Sequence, residues 1–389
     1  MNRSALPVSL LAAAAALDAQ SYVDLIDSRN NAQPYRQIFQ AELGAIGTQP
    51  QGSDPQNDAR GLDNAISWDT KLYYRDEQFS SRRGTIEAYA GRDGIYAGFA
   101  DGNLIGDDTV TRFEFHARPW QFYRDGFYRG DTLVPNGFFE GSDYEGYIGF
   151  GRGSSDGLYI EFGPYYKRLQ FNASELTFDT FRVPEGYAAY GGRLYLEQRN
   201  VQMDRRRGIA REGFVATLIG EREWNNSRTP FGDDAFLTEL PSAVFRARGR
   251  LEWYIPASES VTWEVFVHGG IQDPLDRLQN FEGQRPLGNQ WGDGQVRLRS
   301  FLSDSFIVTP FAAVQYSNVK GQFGSGSTKE FFFGGGLEAW LHFSEAVSLH
   351  GWYSFLNNEN RPSIRVDKDV HGESMFYLGM VLRIGGARR

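Results

Sequence analysis

The stretch VFRARGRLEWYI, residues 244–255, sets Arg246, Arg248 and Arg250 at every second position, with Glu252 next in the series. Arg297 and Arg299 repeat the spacing in QVRLRSFL, and Glu221, Glu223, Glu264 and Glu338 bring carboxylates to other segments. Residues two apart share a face only on an extended strand, so each set is a ladder of charge on one side of a strand. Two kinds of chemistry suit such ladders. Guanidiniums opposite carboxylates brace neighbouring strands through charge-assisted hydrogen bonds. Guanidiniums left facing water form a basic strip that selects anions in a passage. Both stay open at this point, because the sequence does not say which strand lies opposite which.

His342 and Ser344 are also two apart, and His350 falls in the next segment. A His–Ser pair serves nucleophilic hydrolysis when a third group orients the imidazole, and Glu338 has the parity to do so. Lipid hydrolysis would need these groups to face outward, whereas their parity is that of the polar face. They are therefore expected to be polar lining residues, with no enzyme activity. The five His have no metal-ligand spacing, and GRGSSDG has no Lys-Ser/Thr following it, so it is a turn and not a phosphate loop. No metal and no cofactor is expected.

Three arginines on one face cannot point into a dry core, where each unpaired charge is prohibitive. Yet the other face of the same strand carries Phe245, Ala247, Leu251, Trp253 and Ile255. The two-sidedness recurs. VTWEVFVHGGI opposes Val261, Trp263, Val265, Val267 and Ile271 to Thr262, Glu264, Phe266 and His268. GLYIEFGPYYKR opposes Leu158, Ile160 and Phe162 to Tyr159, Glu161, Tyr165 and Lys167. EFFFGGGLEAWLHF and the final MFYLGMVLRI behave alike. A soluble sandwich would need a second sheet over every apolar face. A closed sheet with lipid outside and a polar lumen inside satisfies both faces at once. The expected fold is an all-β transmembrane up-and-down antiparallel barrel over residues 64–384.

Composition agrees. The chain of 389 residues has 30 Phe, 20 Tyr and 45 Gly, a mixture that suits strands and tight turns, and no Cys. Beyond the N-terminus no apolar run approaches the length of a spanning helix. A net charge of −9 with acidic loops argues against nucleic-acid partners. From the C-terminus backward, long and short connections alternate: SEA, SDS and ASES are short, and the stretches between them are long. Short turns on one rim and long loops on the other mark an outer-membrane barrel. The segments number 16, or 14 if the stretch from Pro119 to Gly137 contributes none.

The first residues, MNRSALPVSLLAAAAALDAQS, have a basic start, an apolar run and a small-residue cleavage site, so residues 1–19 are expected to be a secretory signal. Residues 20–63 are polar and are expected to be a periplasmic or lumenal N-terminal segment, although RQIFQAELGAIG admits a strand or a short helix. Residues 385–389 would be a short periplasmic tail.

Three features resemble the barrel of the BamA/TamA outer-membrane assembly-factor superfamily, the bacterial surface-antigen family. The turn DRRRGIAREGF resembles that family's D-x-R…P-x-x-G segment through Asp204, Arg206 and Gly213, with Ala210 where proline is usual. The long segment after QDPLDR resembles the family's sixth extracellular loop, between strands 11 and 12. Its arginine-glycine-aromatic motif falls on Gln279, Asn280 and Phe281, keeping only the aromatic, with Arg285 a second docking residue. YLGMVLRI resembles the outer-membrane insertion signal, through Tyr377, Gly379, Leu382 and Ile384. With about 40 residues ahead of the barrel, the family's POTRA domains are not expected.

The resemblance implies a scaffold or an assembly or translocation role, with the sixth loop folded into the lumen. A porin-like channel for small solutes is the other reading, and an outer-membrane lipid hydrolase a third. The implied partners are outer-membrane lipids and lipopolysaccharide, the assembly machinery during insertion, and a periplasmic or surface protein. The implied location is the outer membrane.

Overall fold

A computed structural model describes residues 36–50 and 65–385, apart from 82, 92–93, 107, 125–127, 130–131, 134–137, 154–156, 174–176, 178, 205–208, 235–236, 275–288, 321–326 and 358–372. Sixteen strands close into one barrel. In chain order they are β1 Gln37–Pro50, β2 Ala65–Asp76, β3 Gly84–Gly91 and β4 Gly94–Asp101. Then come β5 Val110–Arg124, β6 Phe138–Gly153, β7 Leu158–Asn172 and β8 Tyr187–Asp204. β9 Ile209–Asn225, β10 Ala243–Ser258, β11 Val261–Gln272 and β12 Gln290–Phe301 follow. The last four are β13 Phe306–Lys320, β14 Ser327–His342, β15 Val347–Leu356 and β16 Glu373–Gly385. Every neighbour is antiparallel and consecutive, and β16 returns to pair with β1 through thirteen residue pairs, from Ile38 with Gly385 to Pro50 with Glu373.

Closure of β16 on β1 removes the two free end edges that an open sheet would present. Period-two alternation then decides which side each residue takes. On β16, Phe376, Leu378, Met380, Leu382 and Ile384 point outward and are exposed, while Met375, Tyr377 and Val381 are buried inside. β7 alternates exposed and buried through nearly its whole length. The outer surface is an apolar girdle, from Trp68 and Ile66 on β2 to Phe331 and Phe333 on β14. This is the two-faced wall of a membrane-spanning barrel.

One boundary differs from the sequence expectation. β1 lies within residues 20–63, which were expected to stand outside the barrel, and the barrel begins at Gln37. Its outward face is Phe39, Ala41, Leu43 and Ala45, too small an apolar face to mark the stretch as a barrel strand. With β1 counted, the total is 16. The stretch from Pro119 to Gly137 supplies the end of β5 and a two-stranded ribbon, Tyr128–Arg129 with Thr132–Leu133, outside the barrel.

Both barrel termini, Gln37 and Gly385, lie at one rim, the terminal rim. Its connections are short. Serines hold several of them: Ser303 Oγ accepts from the Ser305 and Phe306 amides, at 3.3 and 3.0 Å, and Ser344 Oγ from the Ala346 and Val347 amides, at 3.2 and 3.1 Å. At the opposite rim the connections are mostly long. Two of them fold together. Phe181–Arg182 pairs with Gly232–Asp233, and Phe181, Phe231 and Leu240 form a small core with Phe139, Leu169, Tyr187 and Ala189 from the inner faces of β6, β7 and β8.

Candidate functional site

The inner wall between β5 and β10 carries one continuous charge network. Register sets it up: Arg193 on β8 is paired in the ladder with Glu221 on β9, and Glu221 with Arg246 on β10. Arg193 donates to Glu145 of β6 and to Glu221, both at 2.7 Å. Lys167 of β7 reaches Glu145 at 3.3 Å. Arg246 clamps Glu223 through two hydrogen bonds of 2.9 and 3.0 Å, and Arg248 approaches Glu221 at 3.6 Å. Toward β5, Arg112 binds Glu161 at 2.9 Å. Tyrosines fill the gaps between charges. Tyr165 donates to Glu223 at 3.1 Å, Tyr147 and Tyr159 to Glu161 at 3.0 and 2.6 Å, and Tyr96 to Glu114 at 3.3 Å. The Arg193 guanidinium also lies 5.1 Å from the ring centres of Tyr147 and Tyr165.

A second network runs from β11 across the seam to β1. Glu264 binds Arg297 at 3.1 Å and Arg299 at 2.7 Å. Arg297 also binds Glu338 of β14, and Glu338 meets His350 of β15 at 3.4 Å. His350 stacks on Trp340, 3.9 Å between ring centres, and its other nitrogen lies 3.1 Å from Glu42 of β1. Tyr377 of β16 completes the chain by donating to Glu42 at 2.7 Å. One polar path thus ties the last strands to the first.

The sequence-predicted charges are therefore brought together, but as partners. Arg246, Arg248, Arg250, Glu252, Glu264, Arg297, Arg299 and Glu338 all face the lumen, as their parity predicts. Arg250 pairs with Glu252 on its own strand. Every arginine of the ladder has a carboxylate partner, which is the arrangement of ion-pair bracing. Removing one partner of such a buried pair strands the other and costs about 3–5 kcal/mol. Glu42, Glu145, Arg112 and Arg193 were not singled out in the sequence. The spacing Tyr-x-Glu, as in Tyr159–Glu161 and Tyr195–Glu197, was the available signal, since it places a phenol and its acceptor on one face.

His342 does not meet Ser344. Its Nδ1 lies 2.7 Å from Ser348 Oγ on β15, while Ser344 holds the turn and Glu338 is engaged by Arg297. The hydrolytic arrangement read from the sequence is not assembled.

The motif residues divide. Gly213 has φ +103°, and a Cβ there would strike the Asn200 carbonyl, so glycine is required beside the bulge where the β8–β9 register shifts at Gln202 and Met203. Asp204 closes β8 and pairs with Ile209; Arg206 lies outside the described residues. So do Gln279, Asn280, Phe281 and Arg285, in the connection between β11 and β12. Tyr377, Gly379, Leu382 and Ile384 lie in β16, the first two inward and the last two outward.

A closed barrel of sixteen strands, its long eleventh-to-twelfth connection and its polar lumen can be set beside known structures. BamA from Haemophilus ducreyi lacking POTRA domains 1–3 superposes with a TM-score of 0.52 at 10% identity, over 88% of this chain and 70% of that one. The chain has the barrel fold of BamA. CdiB from Acinetobacter baumannii gives 0.51 at 9% identity, over 89% of this chain and 60% of that chain. This chain thus spans less than two thirds of CdiB. No family model and no curated protein matches the sequence. The fold is the one implied by the motif resemblance, and it is of outer-membrane type.

Proposed function

We propose that the chain is an integral outer-membrane barrel with a scaffold role in protein assembly or translocation, and not an open anion pore. The leader at residues 1–19 would export it. The terminal rim would face the periplasm and the opposite rim the cell exterior. The observation that carries the reading is the pairing of the lumenal arginines: among the described residues a wall braced from β5 to β10 and again from β11 to β1 gives each arginine of the ladder a carboxylate. The fold of BamA and CdiB supports the same direction. Lipids and lipopolysaccharide would contact the girdle, the assembly machinery would read β16, and a periplasmic or surface protein would be the client. The connection between β11 and β12 would fold into the lumen through Phe281 and Arg285.

A porin-like channel is the second reading, favoured by the many charged side chains on the inner wall. Deleting the gene separates the two. An assembly role predicts loss of particular outer-membrane or surface proteins from isolated envelopes. Unchanged envelope protein with slowed uptake of small solutes would replace it by the channel.

A further inference from the structure

The barrel wall is uneven in height. β3 and β4 form a hairpin of 8 residues a side, whereas β2 has 12 and β5 has 15. β3 pairs with β2 only from Leu72 to Asp76, and β4 with β5 only from Thr111 to Ala117. Both flanking strands run on toward the opposite rim, over residues 65–71 on β2 and 118–124 on β5. Their other ladders continue at that height, β2 with β1 up to Ala65 and β5 with β6 up to Arg124. Among the described residues no ladder joins β2 to β5 above the hairpin. Three strand spacings make this notch about 14 Å wide, and seven residues of strand make it about 23 Å tall along the strand direction.

The outer edge of the notch on β2 is apolar. Trp68 and Ile66, both on the outward face of β2 beside it, are 77% and 68% exposed, the highest values among the described large apolar side chains. Among the described residues no strand flanks them on the β3 side. The inner edge of the same opening is charged. Lys71 pairs with Asp69 at 3.3 Å and lies 5.5 Å over the Tyr377 ring. On the β5 side Arg118 donates to Asp143 at 2.8 Å. A single gap with an apolar outer edge and a polar inner edge matches a molecule that has both.

We propose that this notch is a lateral portal through which a lipid-like amphiphile passes between the leaflet nearest the opposite rim and the lumen. Its acyl part would lie against Ile66 and Trp68, with its polar head toward Asp69, Lys71 and the Arg118–Asp143 pair. The portal rests on the membrane placement of the barrel and stands whether the role is assembly or conduction.

The chain has no Cys, so a single introduced thiol can carry a fluorophore. Ser67→Cys puts it on the lumenal face beside the notch, Ile66→Cys on the outer face, and Ser354→Cys on the lumenal face of β15, where ladders continue on both sides. The protein is reconstituted in phosphatidylcholine vesicles containing acyl chains that bear a doxyl quencher. Heat-modifiable gel mobility confirms folding, and Lys71→Cys replaces Ser67→Cys if that variant does not fold. Quenching at residue 67 comparable to that at 66, with none at 354, is the expected result. Quenching at 67 no stronger than at 354 overturns the portal, because lipid chains would then reach both lumenal positions alike or neither.

Discussion

Gly44 of β1 and Gly379 of β16 face each other across the closing seam, and the phenol of Tyr377 lies over both. A Cβ at either glycine would overlap that ring. The ring cannot swing aside freely, because it donates to Glu42 at 2.7 Å and stacks on Trp352 at 6.0 Å. Strand closure and the lumenal polar path therefore meet at Tyr377 and Gly379, two of the residues expected to form an insertion signal. Gly379→Val should weaken the seam by about 1–3 kcal/mol, as overpacking does. Urea titration of the folded band on cold gels would read this, and an unchanged midpoint would show that the ring is not confined.

Arg193 holds Glu145 and Glu221 at once. Arg193→Met should destabilise by about 3–5 kcal/mol, because two buried carboxylates lose their nearest cation and keep longer contacts to Lys167 and Arg248. Adding Glu145→Gln and Glu221→Gln should recover much of that loss, and a double-mutant cycle measures the coupling. Strictly additive effects would mean that the network does not brace the wall.

Val314 and Gln315 are adjacent on β13 and face opposite ways, outward and inward. Val314→Arg should cost about 2–4 kcal/mol near the bilayer midplane, and Gln315→Arg far less. Glu264 is unsuited to this comparison, since two arginines already hold it. Equal losses of folded protein in the membrane fraction would place both positions outside the hydrocarbon, against the girdle described above.

Deleting residues 375–389 removes nearly all of β16 and the ladders on both its sides. Such chains should be exported but fail to enter the membrane. Removing only 385–389 leaves the outward row through Ile384 intact and should be mild. Fractionation and protease accessibility distinguish the two, and a severe defect in the shorter deletion would contradict the role given to Tyr377, Gly379, Leu382 and Ile384.

Faces were legible in the sequence because parity alone assigns them. Phe245 against Arg246 and Leu378 against Tyr377 needed no knowledge of neighbours. β1 was legible only as a strand or a short helix outside the barrel, because its outward residues alternate Phe and Leu with alanines, and a one-methyl side chain barely marks an apolar face. The site was half legible. Which side Arg246 takes follows from its own strand. That it meets Glu223 and not water follows from the β9–β10 register, which bulges and turn lengths fix. Nor could periodicity show that the β3–β4 hairpin stops short, because each of its strands alternates normally up to its end.

The account stands or falls on whether the lumenal arginines are braces or a filter. Single-protein recordings in planar bilayers address this directly. Intact protein should give small, flickering conductance without marked anion preference, and deleting Asp276 to Gly288 should enlarge it. Stable, large, ohmic and anion-selective conductance from the intact chain would contradict the account.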